Sequence, residues 1–74
     1  MSIRVYKDKR PYFGRGAYVD VDAVIIGDVV VERGVNIWPG AVIRGDVERI
    51  AIGAETSVQD NAVLHCDPGY PMLI

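Results

Sequence analysis

A repeat of six residues is the feature that most restricts what this chain can become. Branched aliphatics stand at Val19, Ile25, Val31, Ile37 and Ile43, each six positions after the last. Four positions beyond each comes a second small or branched residue: Ala23, Val29, Val35, Ala41 and Val47. The phase slips by three across Val47-Glu48-Arg49, and the hexads resume at Ile52, Val58 and Leu64, with Thr56 and Ala62 as companions. A helix would repeat at about 3.6 residues and an ordinary strand at about 2. Gly or Pro at 27, 34, 39, 40, 45 and 53 would also interrupt any long helix. The period fits a triangular solenoid. Each hexad makes one short flat strand and a corner, and three hexads close a coil of 18 residues. First-place aliphatics point inward and stack on their counterparts in coils about 4.8 Å above and below.

In hexapeptide-repeat proteins the crossover is left-handed, an exception to the usual rule for parallel strands. The expected fold class is therefore all-β, a left-handed parallel β-helix of about three coils over residues 19–74. Residues 1–18 read as a lead-in strand and turn: alternating Ile3, Val5 and Tyr6, then Pro11, then Gly14-Arg15-Gly16. The rival is a small antiparallel sandwich turning at Gly27-Asp28, Arg33-Gly34 and Pro39-Gly40. Pro71-Met72-Leu73-Ile74 leaves an apolar edge of the kind that pairs with further strands, so the solenoid is expected to be C-terminally incomplete and its parent longer.

Composition enters where stability and partners are concerned. A chain of 74 residues buries only roughly 60% of its unfolded surface. The single cysteine, Cys66, excludes an internal disulfide. Support is expected from a partner subunit, a metal or a continuation of the chain. One unpaired cysteine also points to a reducing compartment, and cytoplasm is the default. The net charge of −2 is interspersed, which argues against nucleic acid and anionic membranes as partners. Lys7-Asp8-Lys9-Arg10 reads as a solvated arm. No apolar run approaches the roughly 18 residues of a membrane span, and residues 1–10 hold no apolar block of a signal peptide.

Stacking arithmetic places the polar residues. A coil of 18 plus the slip of three puts residue n beneath residue n + 21. Ile43 then stacks on Leu64, Arg44 on His65 and Trp38 on Gln59. Ile43 and Leu64 face inward, so Arg44 and His65, next in each strand, face outward with Asp46 close by. Trp38 reads as an outer-face packing residue, Cys66 as a small corner residue, and Asp20 and Asp22 as solvated turn positions.

Ile43-Arg44-Gly45-Asp46-Val47, Ile52-Gly53, Val58-Gln59-Asp60-Asn61 and Val63-Leu64-His65, in this order and hexad context, resemble the signature of the γ-class carbonic anhydrase family, N-terminal portion. The resemblance runs from Gly27 to His65. It implies that His65 is the first of the family's three metal-binding histidines. It implies further that Arg44 and Asp46 lie near the active site and the subunit contact, and that Gln59 orients the metal's water or hydroxide. Asp60 would work with Arg44 in substrate binding and interface structure. The implied assembly is a homotrimer holding zinc, iron or cobalt between subunits, and the implied reaction is reversible hydration of CO2 to bicarbonate. His65 is the one histidine in the chain, so the remaining ligands are absent from it and the chain alone is expected to be inactive. Ser57 stands where some members have Asn, and Glu48 and Asp67 are the candidates for an acidic proton shuttle.

Two other functions fit the scaffold. One is an acyl-CoA-dependent hexapeptide-repeat acyltransferase with a histidine general base; acyl transfer needs neither the Arg-Gly-Asp nor the Gln-Asp piece. The other is a non-catalytic trimeric assembly subunit, which the missing histidines favour and the retained Arg44, Gln59 and His65 oppose.

Overall fold

The computed structural model describes all of residues 1–74 and contains strands, turns and no helix. Accordingly no helix is long and apolar enough to cross a membrane. Nine strands follow one another: β1 (Ser2–Arg4), β2 (Tyr12–Phe13), β3 (Tyr18–Val19), β4 (Val24–Val31), β5 (Asn36–Ile37), β6 (Val42–Ile52), β7 (Ser57–Val58), β8 (Val63–His65) and β9 (Met72–Leu73). All seven strand pairings are parallel, which disposes of the antiparallel sandwich. The chain is the parallel β-solenoid that its hexads require.

The pairings sort into three faces. One carries β1, the first half of β4, the first half of β6, and β8. The next carries β2, the second halves of β4 and β6, and β9. The third is β3-β5-β7. β4 and β6 each turn a corner without leaving the sheet, at Gly27 and Gly45, which are register partners. Gly27 has φ +79°, and a Cβ there would run into the Gly45 carbonyl. A Cβ on Gly45 would run into the carbonyl of Asp28. The glycine of the Arg-Gly-Asp triplet is thus explained by backbone approach between coils.

Beyond this corner the register shifts, from Gly27↔Gly45 to Val29↔Ile50. Asp28 alone lies between in one coil and Asp46-Val47-Glu48-Arg49 in the next, so the slip of three is an insertion at one corner. This corrects one companion assignment. Val47 sits in the insertion at 47% exposure, and Ile50, fully buried, takes the inward place opposite Val29.

Both inward columns of each hexad meet in one core of twelve buried residues. It includes Ala23, Ile25, Val29, Val31, Val35, Ile37, Ala41 and Ile43, with Ile52 and Val58 continuing the series and Val19 and Leu64 partly buried against it. Cys66 also points inward, its thiol 3.9 Å from the Arg49 carbonyl oxygen. Within residues 1–18, β1 and β2 stack on β4, and β3, which starts at Tyr18, stacks on β5. The charged Lys7-Asp8-Lys9-Arg10 segment is exposed, with Lys7 and Asp8 at the tip of a tight turn closed by an antiparallel Tyr6–Lys9 bridge.

Candidate functional site

Arg44 and His65 are register partners on β6 and β8, as Ile43 and Leu64 are one step before them. Because strand side chains alternate, the burial of Ile43 turns Arg44 and His65 outward, and both are exposed. Asp46 follows on the same strand after the close-packed Gly45. Its Oδ2 lies 3.5 Å from Arg44 Nε. That is an ion-pair distance too long for a strong hydrogen bond, so it orients the guanidinium while the Nη groups remain free to donate to an anion.

The other oxygen of Asp46, Oδ1, is buried without a hydrogen-bond donor from the chain. Such an acceptor is costly unless something outside the chain satisfies it. Asp46 also borders a small cleft formed with Lys9, Asp28, Gly45, Val47 and Glu48. The stacked corner loops are tied together around it: Arg49 Nε donates to Asp28 Oδ1 at 3.1 Å, and the Gly69 N–H donates to Glu48 Oε2 at 2.7 Å.

Gln59 and Asp60 belong to the next corner round, after β7, and both are exposed. The backbone N–H of Trp38 donates to the Val58 carbonyl, which sets Trp38 and Gln59 in neighbouring coils as the arithmetic required. Gln59 Nε2 donates to Ser57 Oγ at 2.6 Å. Asp60 forms none of the three ion pairs within the chain, so the expected pairing with Arg44 is not made in a single chain. Trp38, 36% exposed, packs its ring against Tyr18 with centroids 5.3 Å apart. Asp20 and Asp22 form a turn in which the Asp22 N–H donates to Asp20 Oδ1, while Tyr18 donates its hydroxyl proton to Asp20 Oδ2. That hydrogen bond, with lesser contributions from desolvation and the charge of Asp20, raises the Tyr18 pKa.

A metal can be tested against these residues. No three His, Cys, Asp or Glu side chains of the chain gather into a group that could hold an ion. Cys66 is turned into the core, and the register neighbour of His65 is a guanidinium rather than a ligand. The chain alone does not fit a resident metal. His65, the one histidine of the chain, is exposed on β8.

Two groups of residues escape a reading by motif. Lys9 and Asp28 join Asp46 only because corner residues of three coils converge. Asn36 and Ser57 hold Gln59 and Trp38 in one hydrogen-bonded set. The second group was within reach, since Tyr18, Asn36 and Ser57 are register partners that the same stacking arithmetic aligns.

Comparison with known proteins agrees with the repeat. The sequence model of the family described as "Bacterial transferase hexapeptide (six repeats)" matches residues 10–45. The chain is 46% identical over 63 residues to protein YrdA of Escherichia coli, covering 85% of the chain and 34% of YrdA. It is 50% identical over 58 residues to the mitochondrial γ carbonic anhydrase 3 of Arabidopsis thaliana, covering 78% of the chain and 22% of that protein. With a carbonic anhydrase of Geobacillus kaustophilus it shares 41% identity over 69 residues, 93% of the chain and 38% of that protein. The chain thus spans between about a fifth and two-fifths of the length of these relatives. Repeat, register and relatives together make this chain a hexapeptide-repeat sequence of the γ carbonic anhydrase-like family.

Proposed function

We propose that the chain supplies one side of the active centre of a trimeric, zinc-dependent γ carbonic anhydrase-like enzyme that interconverts CO2 and bicarbonate. The observation that carries this reading is the outward register pair of Arg44 and His65, with Asp46 against the arginine. His65 would be one ligand, with the others supplied from outside these 74 residues. Zinc, when bound, supplies Lewis-acid activation of water. The residues of the chain do the binding and orienting. The free Nη groups of Arg44 donate to the oxygens of bicarbonate, and Asp46 limits the directions the guanidinium can take. Gln59, held through its amide nitrogen, orients a small polar ligand at the neighbouring corner. Asp46 Oδ1, undonated within its own chain, is an acceptor for a donor from a partner subunit, and Asp60 sits exposed for the same contact. The unpaired Cys66 suits a reducing compartment such as the cytoplasm.

The test is CO2 hydration by the protein that carries this segment, before and after chelation, with metal content measured alongside. Activity should vanish on chelation, return with zinc, and be lost in His65→Ala together with bound metal. Hydration that survives chelation would overturn the proposal. The acyltransferase alternative finds no support in the similarity to carbonic anhydrases.

A further inference from the structure

The third face carries a hydrogen-bonded set whose direction can be worked out atom by atom. The indole N–H of Trp38 lies 2.7 Å from Asn36 Oδ1 and 3.3 Å from Ser57 Oγ. Ser57 Oγ lies 2.6 Å from Asn36 Oδ1 and 2.6 Å from Gln59 Nε2. An indole nitrogen only donates. The Asn36 atom facing it must therefore be the carbonyl oxygen, not the amide nitrogen. Ser57 then has to give its single proton to that oxygen, because an oxygen already acting as acceptor offers none in return. With its proton spent, Ser57 can only accept from Gln59, and the Gln59 atom facing it must be the NH2 group. Asn36 Oδ1 and Ser57 Oγ each take two donors, which fills both lone pairs of each. Gln59 is left with its carbonyl Oε1 directed away from the set, and no residue of the chain donates to it. The tilted packing of Trp38 on Tyr18, at 45° between ring planes, fixes where the indole N–H points.

We propose that Trp38 is a positioning residue for Gln59: its indole N–H sets the direction of a relay through Asn36 and Ser57, so that Gln59 presents a carbonyl oxygen, an acceptor, to whatever binds at its corner. A ligand atom engaged by that carbonyl oxygen must then carry a proton. On the proposed function, on which this last step rests, that atom belongs to an O–H of bicarbonate or of water and not to a bare oxyanion.

The chain has one tryptophan and one glutamine, so the indole N–H and the Gln59 NH2 pair give unambiguous signals in proton–nitrogen NMR of the labelled chain. In the native sequence one Gln59 amide proton should be displaced from its free-glutamine position. Trp38→Phe keeps a ring against Tyr18 but removes the donor, and should collapse that displacement. Ser57→Ala should collapse it as well, whereas Ser57→Thr, which keeps the hydroxyl, should preserve it. A Gln59 pair unmoved in Trp38→Phe would overturn the role of Trp38, and one unmoved in Ser57→Ala would overturn the relay. Should Trp38→Phe disturb the fold, Asn36→Ala breaks the same relay with the indole retained, and an unmoved Gln59 pair there counts equally against it. None of these readings uses CO2 hydration, so failure here and failure of the proposed function are separate results.

Discussion

Gly45 stands between two charged residues, yet its importance is steric: a Cβ would meet the Asp28 backbone of the adjacent coil. Gly45→Ala must therefore push apart two strands that are hydrogen-bonded on either side, and should cost about 3 kcal/mol, the upper end of ordinary overpacking. Gly16 offers the contrast. Its φ is +72°, with open space where a Cβ would go. Gly16→Ala should cost only about 1 kcal/mol, the penalty of the left-handed conformation itself. Denaturant unfolding of both variants gives the comparison, and equal costs would show that close approach is not what Gly45 serves. Tyr18 makes a second prediction at this scale. Its proton is held by Asp20, so in a spectrophotometric titration Tyr18 should ionise above the ordinary phenol value, and Asp20→Asn should lower its pKa. A pKa raised by folding gives a contribution that is fully present below the unfolded phenol value and is lost as pH rises through the folded one.

At the scale of elements, the period of six was enough to name which residues of β4 and β6 face inward, because a flat strand leaves a side chain only two directions. The same arithmetic brought Arg44 to His65 across 21 residues. It failed at Val47, where a count of four beyond Ile43 ran into an insertion whose start no local residue marks. Ile50 was hidden by the same insertion. The two can be told apart by experiment. Ile50→Ala removes a fully buried side chain stacked between Val29 and Met72 and should cost about 2–5 kcal/mol. Val47→Ala, in the exposed corner, should stay within about 0.5 kcal/mol. Equal effects in chemical denaturation would mean that the shifted register is wrong. The convergence of Lys9, Asp28 and Asp46 was out of reach for a similar reason, since it depends on how far each corner loop projects rather than on the period.

At the scale of the whole molecule, the accessible surface of 4481 Å2 matches the about 4,500 Å2 expected of a compact monomer of 8.1 kDa. The stacked coils therefore enclose their core as well as larger folds do for their size. What stands out is an outer side that is more apolar than its solvent exposure would favour. Along the first face Val24, Val42 and Val63 form one outward column, and Ile26, Arg44 and His65 form the next. Val63 is 69% exposed beside His65. Within the proposed function this side meets a partner subunit, with Arg44 and His65 at the edge of the contact. Val63→Asp would place a charge in that contact while leaving the core untouched, because Val63 points away from it. Sedimentation of the protein that carries this segment should give a species of about three times the mass of one chain, and Val63→Asp should shift it toward a single chain. Val21→Asp is the control, since Val21 is 73% exposed in a turn before β4 and lies outside both columns. A native mass of one chain, or a Val63→Asp variant that assembles as well as Val21→Asp, would show that the apolar columns are not the contact and would detach Arg44 and His65 from any shared site.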